Sequence, residues 1–221
     1  MRIRVNGIEL FYETSGKGPP IILLHGNGED HTIFDVLTKK LSANYTVYGV
    51  DSRGHGKSGK VKTLDYQSMM EDTAAFIRAL DIKSPVLYGF SDGGIIGLLL
   101  AVRYPDLLST LIVSGANTHP GGIRRRYALL MKIVYFFTRS PKYKLMLTQP
   151  DISRDDLAKI MMPTLVLAGS RDLVRDAHTR MLAARISNSR LRILNGESHA
   201  SYVVHSKKLY EIIRPFLLHG E

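Results

Sequence analysis

Residues 85–97 read "PVLYGFSDGGIIG": a short apolar run, then Gly89-Phe90-Ser91-Asp92-Gly93-Gly94, then a second apolar run from Ile95. A serine among glycines between two buried segments is either an ordinary turn or a nucleophile held on a strained bend. The flanks decide between them. "PVLYGFS" has the length and composition of a buried strand, and Asp92 to Arg103 reads as a helix stopped by Tyr104-Pro105. A sharp strand-to-helix turn crowds the backbone, so it needs small residues on both sides of the serine. Its Oγ then stands clear of the sheet, and the free N–H groups and positive dipole end of the helix point to the same place.

A serine hydroxyl is a poor nucleophile at neutral pH. It needs a base within hydrogen-bond reach, and the base needs an acid to orient it. Downstream, "LVLAGSRDLV" places Asp172 just after a strand, and "LRILNGESHA" places His199 in the loop after the next strand. Ser91, Asp172 and His199 thus come in the order serine, acid, histidine, each at a strand's carboxyl end. The bland alternatives are that Asp172 caps the helix beginning near "VRDAHTR" and that His199 is an ordinary loop histidine. Asp176 falls inside that helix, Glu197 comes before the histidine only as a loop charge, and the other seven histidines lack the placement.

Working outward, strand and helix signals alternate along the chain. "RIRVNGIELFYET" reads as two strands around the hairpin turn Asn6-Gly7. "PPIILLHG", "YTVYGVD", "LSTLIVSG", "PTLVLAG" and "LRILNG" read as strands; residues 32–43, "DYQSMMEDTAAFIRALDI", "VRDAHTRMLAARI" and "SKKLYEIIRPFLL" read as helices. This alternation predicts an α/β fold with a mostly parallel twisted sheet and helices on both faces. Such sheets carry their sites at the carboxyl ends of the strands. Residues 118–157 break the pattern: "THPGG" is a loop, "IRRRYALLMKIVYFFTR" one basic, apolar-rich helix, and "SPKYKLMLTQPDIS" turn-rich. The expected organisation is a core of residues 1–117 and 158–221 with a short insertion at 118–157.

Two more loops follow strands. "LLHGNGED" has glycines that let the backbone present N–H groups. An oxyanion hole needs two donors aimed where negative charge develops, and the main-chain N–H groups of Asn27 and Asp92 are the candidates. "DSRGHGKSG" has Lys57 after Gly56, but residue 51 is Asp where a phosphate loop needs Gly, so this stretch reads as a structural turn.

The chain has 221 residues, 44% hydrophobic and 23% charged, with a formal charge of +10 and no cysteine. The length suffices for one sizeable core. The lack of cysteine removes disulfides, thiolate metal sites and a thiol nucleophile, and it fits a reducing cytoplasm. The longest apolar run, Ile95 to Val102, is far short of a bilayer span, and "MRIRVNGIEL" lacks signal-peptide features. Apart from Arg124-Arg125-Arg126 the positive residues are scattered, without aromatic interleaving or zinc-finger spacing. The expectation is therefore a solvated surface, with no nucleic-acid partner, no metal and no cofactor. A membrane-surface role for "IRRRYALLMKIVYFF" is the lesser reading, because its apolar residues more simply cover the site.

Together, "GIELFYETSGKGPPIILLHG", "DSRGHGKSG", "YGFSDGG", "LAGSRDLV" and "GESHASY" resemble the α/β-hydrolase superfamily nearly end to end. The resemblance implies the α/β-hydrolase fold, a Ser91–His199–Asp172 triad, and a cap at 118–157 that is short for the family and leaves the site open or shallow. "GFSDGGIIGLLLAVRYPDLLSTLIVSGAN" is similar to valacyclovir-hydrolase-like (biphenyl-hydrolase-like) serine esterases. That likeness implies that Asp92 holds the amino group of an α-amino-acid ester; the competing reading is that Asp92 caps its own helix. The expected activity is hydrolysis of small carboxylic, including amino-acyl, esters. An amidase, thioesterase, C–C hydrolase or cofactor-free perhydrolase on the same residues is the alternative, and a non-catalytic binding protein a more distant one.

Overall fold

The computed structural model describes residues 1–219. Gly220 and Glu221, which the sequence reading assigns to the core, lie outside the described residues. The hairpin forms as its turn demands: β1 (Arg2–Val5) and β2 (Ile8–Ser15) pair antiparallel, with Asn6 and Gly7 at φ 47° and 76°. Then β3 (Pro20–Leu24), β4 (Thr46–Val50), β5 (Val86–Phe90), β6 (Thr110–Ser114), β7 (Thr164–Arg171) and β8 (Ser189–Ser198) complete one eight-stranded sheet. The order is β1-β2-β4-β3-β5-β6-β7-β8, parallel everywhere beyond the β2–β4 pairing.

The central strands are continuous apolar runs because both of their faces are covered. Ile21, Ile22 and Leu23 of β3 and Leu111, Ile112 and Val113 of β6 are completely buried. On one face lie α2 (Tyr66–Ala79), α3 (Asp92–Arg103) and α7 (Asp176–Arg185), packing Met69, Phe76, Ile95, Leu98 and Leu182. On the other lie α1 (Asp35–Leu41) and α8 (Lys208–His219), with Leu37, Leu209 and Ile213 around Tyr88 and Tyr202. Each fully buried aliphatic side chain contributes about 1.5–3 kcal/mol relative to exposure.

Helix α2 starts where the Asp65 carboxylate accepts from Ser68 N at 2.7 Å. Helix α3 presses directly on the sheet: a Cβ at Gly97 would sit 2.9 Å from Leu87 and Leu111. The alternation read from the sequence is thus the fold observed.

Between β6 and β7 the chain leaves the sheet for α4 (Arg125–Thr138), α5 (Pro141–Thr148) and the single turn α6 (Arg154–Leu157). The stretch "SPKYKLMLTQPDIS", expected to be turn-rich, is mostly helical: Pro141 stands in the first turn of α5, where its missing N–H costs nothing, and Ser153 and Asp156 form a capping box on α6. Helix α4 sets one apolar side, with Ala128, Met131 and Val134 half-buried, toward the protein. No residue of α4 is buried, and Leu129, Leu130, Ile133, Phe136 and Phe137 face outward. Among the described residues, no helix is long and apolar enough to cross a membrane.

Candidate active site

Ser91 sits between β5 and α3 with φ 52° and ψ −114°, a conformation that a residue with a side chain adopts only under constraint. The constraint is visible in its neighbours. A Cβ on Gly89 would run into the Gly93 carbonyl, and one on Gly93 into the Leu24 carbonyl of β3. Ser91 N donates to Ser114 O at 2.8 Å, and Gly93 N to His25 O at 3.1 Å, so the bend is fixed from strands on both sides. The glycines of the quoted stretch are required by close packing.

The structure brings Ser91, His199 and Asp172 together from three strand ends. His199 Nε2 lies 3.0 Å from Ser91 Oγ, and Nδ1 lies 2.7 Å from Asp172 Oδ1. Asp172 is 1% exposed, and its Oδ1 also accepts from Val174 N at 2.9 Å. It therefore faces the histidine and a turn of its own loop, and caps no helix. His199 is wedged between the Phe90 ring, centroids 4.9 Å apart, and Gly115. Gly115 has φ 64°, and a Cβ there would fall 2.6 Å from His199 Cε1. Asp176, the weaker acid, is exposed and pairs with Arg180 at 2.8 Å.

The loop after β3 packs on the serine, since a Cβ at Gly26 would lie 3.2 Å from Ser91 Cβ. Glu29 holds that loop by accepting from Gly26 N at 3.0 Å, and burial raises its carboxyl above the usual range. The Asn27 side chain donates to Lys142 O of α5 at 3.2 Å, tying the loop to the insertion. The main-chain N–H groups of Asn27 and Asp92 donate no hydrogen bond to protein among the described residues.

Asp92 is 4% exposed, and its side chain does not cap α3. Instead Oδ1 accepts from the Tyr66 hydroxyl at 2.7 Å, while Oδ2 makes no well-formed hydrogen bond among the described residues. Burial pushes its carboxyl up to about 6, against the opposing pull of the Tyr66 hydroxyl and the nearby Asn27 amide. The result is a buried carboxylate with one unpaired oxygen beside the nucleophile, an arrangement that favours a hydrogen-bond donor or a cation as neighbour.

The turn "DSRGHGKSG" braces the site. His25 Nε2 accepts from Ser52 N at 3.0 Å, and Arg53 grips Asp72 of α2 through two bonds of 2.6 Å. Asp30, His31 and Asp51 bring three possible ligand atoms within 4.8 Å of one another. Their capacity is already used: Asp51 takes His31 Nδ1 at 2.6 Å and Lys57 N at 2.8 Å. This cluster fixes a turn.

Tyr66, Gly115 and Glu29 are site residues that the sequence reading missed. A glycine closing β6 at a strand's carboxyl end was a usable signal for Gly115. Tyr66 carried none, because its partner is 26 residues away.

Comparison with known proteins agrees with this fold. A family model described as the alpha/beta hydrolase fold matches residues 19–141. The human serine hydrolase BPHL is 27% identical, with 98% of this chain and 85% of that protein covered. The AB hydrolase superfamily protein YisY of Bacillus subtilis is 26% identical, with 95% of each covered. The solved structure of Est816, described as an N-acyl homoserine lactone degrading enzyme, superposes with a TM-score of 0.84 at 23% identity, over 98% of this chain and 100% of the other. That last likeness is one of fold.

Proposed function

Because the chain belongs to the alpha/beta hydrolase fold family, we propose that it is a serine hydrolase of small carboxylic esters, with Ser91 as nucleophile. His199 takes the Ser91 proton as the oxygen attacks the ester carbonyl. It then delivers that proton to the leaving alcohol. Asp172 holds the imidazole in the tautomer that keeps Nε2 free to accept, and offsets the charge that the ring gains. The N–H groups of Asn27 and Asp92 receive the oxyanion, each contributing about 3–4 kcal/mol to transition-state stabilisation. Water then attacks the acyl-enzyme, with His199 again as base.

The observation that carries this reading is the unbroken relay of 3.0 Å from Ser91 Oγ to His199 and 2.7 Å from His199 to the buried Asp172. Further support comes from the similarity to the human protein named serine hydrolase BPHL. Residues 118–157 would act as a short cap, joined to the oxyanion loop by the bond from Asn27 to Lys142 O.

The experiment is turnover of p-nitrophenyl esters from acetate to decanoate by the wild type and by Ser91→Ala. Turnover that disappears in the variant is expected, and equal turnover by a folded Ser91→Ala protein overturns the assignment. A second reading rests on the buried, unpaired Oδ2 of Asp92, whose unmet charge would favour a cationic acyl group such as an α-amino-acid ester. It requires that Asp92→Asn lower the ratio of amino-acyl to plain acyl ester turnover; an unchanged ratio removes it.

A further inference from the structure

Helix α4 carries a feature that ester hydrolysis does not use. Leu129, Leu130, Ile133, Phe136 and Phe137 are 60%, 57%, 48%, 63% and 78% exposed. At about 100° per residue these five positions fall within one arc of roughly 120°. They form a continuous apolar stripe, with Phe136 and Phe137 packed edge to face at 5.2 Å. A stripe of this kind on a surface helix marks a place where something docks.

Charge indicates what docks there. From Leu107 to Pro150 the chain contains no aspartate or glutamate and seven lysines and arginines. Arg125, Arg126 and Lys132 on α4 are exposed, and Arg139 closes the helix with its guanidinium 5.4 Å from the Phe136 ring. Long cationic side chains beside an apolar stripe can reach anionic headgroups while the stripe enters the acyl boundary. A second copy of the chain fits poorly. Symmetric pairing of α4 would set these cations against one another, with no acid in the whole segment to compensate. The helix has 14 residues, about 21 Å, too short to cross a bilayer but suited to lie in its surface.

We infer that α4 is a peripheral membrane-binding element that docks this protein on anionic lipid surfaces. The helix starts where Arg124 N donates to Leu173 O at 2.9 Å, next to Asp172. Docking through α4 would thus act on an element joined directly to the loop that carries Asp172, independently of which ester is cleaved.

The test is flotation of the full chain with vesicles of equimolar phosphatidylglycerol and phosphatidylcholine, beside vesicles of phosphatidylcholine alone. Binding to the anionic vesicles is expected in about 0.05 M salt and weakens in about 0.5 M salt. Phe136→Ser with Phe137→Ser lowers the bound fraction at least about tenfold. Arg125→Ala with Arg126→Ala lowers it by a smaller factor and reduces the salt dependence. All four side chains are exposed, so thermal melts of these variants should overlay the wild type. No binding to anionic vesicles at low salt overturns the inference, as does equal binding to both vesicle types or undiminished binding by the Phe136/Phe137 variant. A dimer that this variant dissociates, in a protein that ignores vesicles, overturns it in favour of a second copy.

Discussion

Replacing Gly115 by alanine is expected to disable ester turnover while leaving the protein folded. The new Cβ would lie 2.6 Å from His199 Cε1 and 2.7 Å from Nδ1. Unstrained carbon–carbon contacts begin near about 3.5 Å, so the imidazole must retreat by about 1 Å. That retreat stretches the 3.0 Å approach of Nε2 to Ser91 Oγ toward about 4 Å, outside hydrogen-bonding range. A misplacement of this size costs on the order of 100-fold in rate. The stability cost is separate. Gly115 has φ 64°, where alanine loses about 1–2 kcal/mol, a fall in Tm of roughly 2–8 °C for a chain of this size. The assay is kcat/KM on p-nitrophenyl acetate, with a circular-dichroism melt on the same sample. A folded Gly115→Ala protein with wild-type kcat/KM would refute the reasoning, because it would mean that the position of His199 against Ser91 is immaterial to turnover.

Asp172→Asn keeps the shape of the side chain but no longer holds the histidine in the productive tautomer, so kcat should fall by about 10⁴ while KM moves little; near-normal kcat counts against the proposed orienting role. Asp92→Asn should stabilise the protein at neutral pH. The folded carboxyl titrates at about 6, above the exposed value of 3.8, so the folded state holds this proton more tightly than the unfolded chain does. The contribution of Asp92 is therefore fullest below about pH 4, declines as pH rises through 6, and leaves a cost of roughly 2–3 kcal/mol above it. Urea denaturation across that range should show Asp92→Asn more stable than wild type at pH 7–8, the gap closing toward pH 4; a gap that widens in acid contradicts the burial argument.

Much of the fold was legible because its signals are local. The glycines around Ser91, the turn at Asn6-Gly7 and the apolar strands each impose geometry on their own neighbourhood, and the helix read from Asp92 to Arg103 has those bounds in the structure. The spacing of Ser91, Asp172 and His199 at strand ends was equally readable, since a parallel sheet gathers those ends. The missed features depend on contacts distant in sequence. Helical periodicity groups Leu129, Ile133 and Phe136 on one side of α4 but does not say which side meets the protein. The stretch "SPKYKLMLTQPDIS" read as turn-rich, yet a proline in the first turn suits a helix, and α5 starts at Pro141. Asp92 at the start of α3 looked like a helix-stabilising acid; the Tyr66 hydroxyl from α2 takes its carboxylate instead.

The central claim is that Ser91 is the nucleophile, activated by His199. Its most direct test is to treat the purified protein with a fluorophosphonate and locate the adduct by peptide mass spectrometry. A single adduct on Ser91, absent from Ser91→Ala and formed far more slowly in a folded His199→Ala protein, is the expected result. An adduct on another residue, or no adduct on a folded wild-type protein, would contradict it.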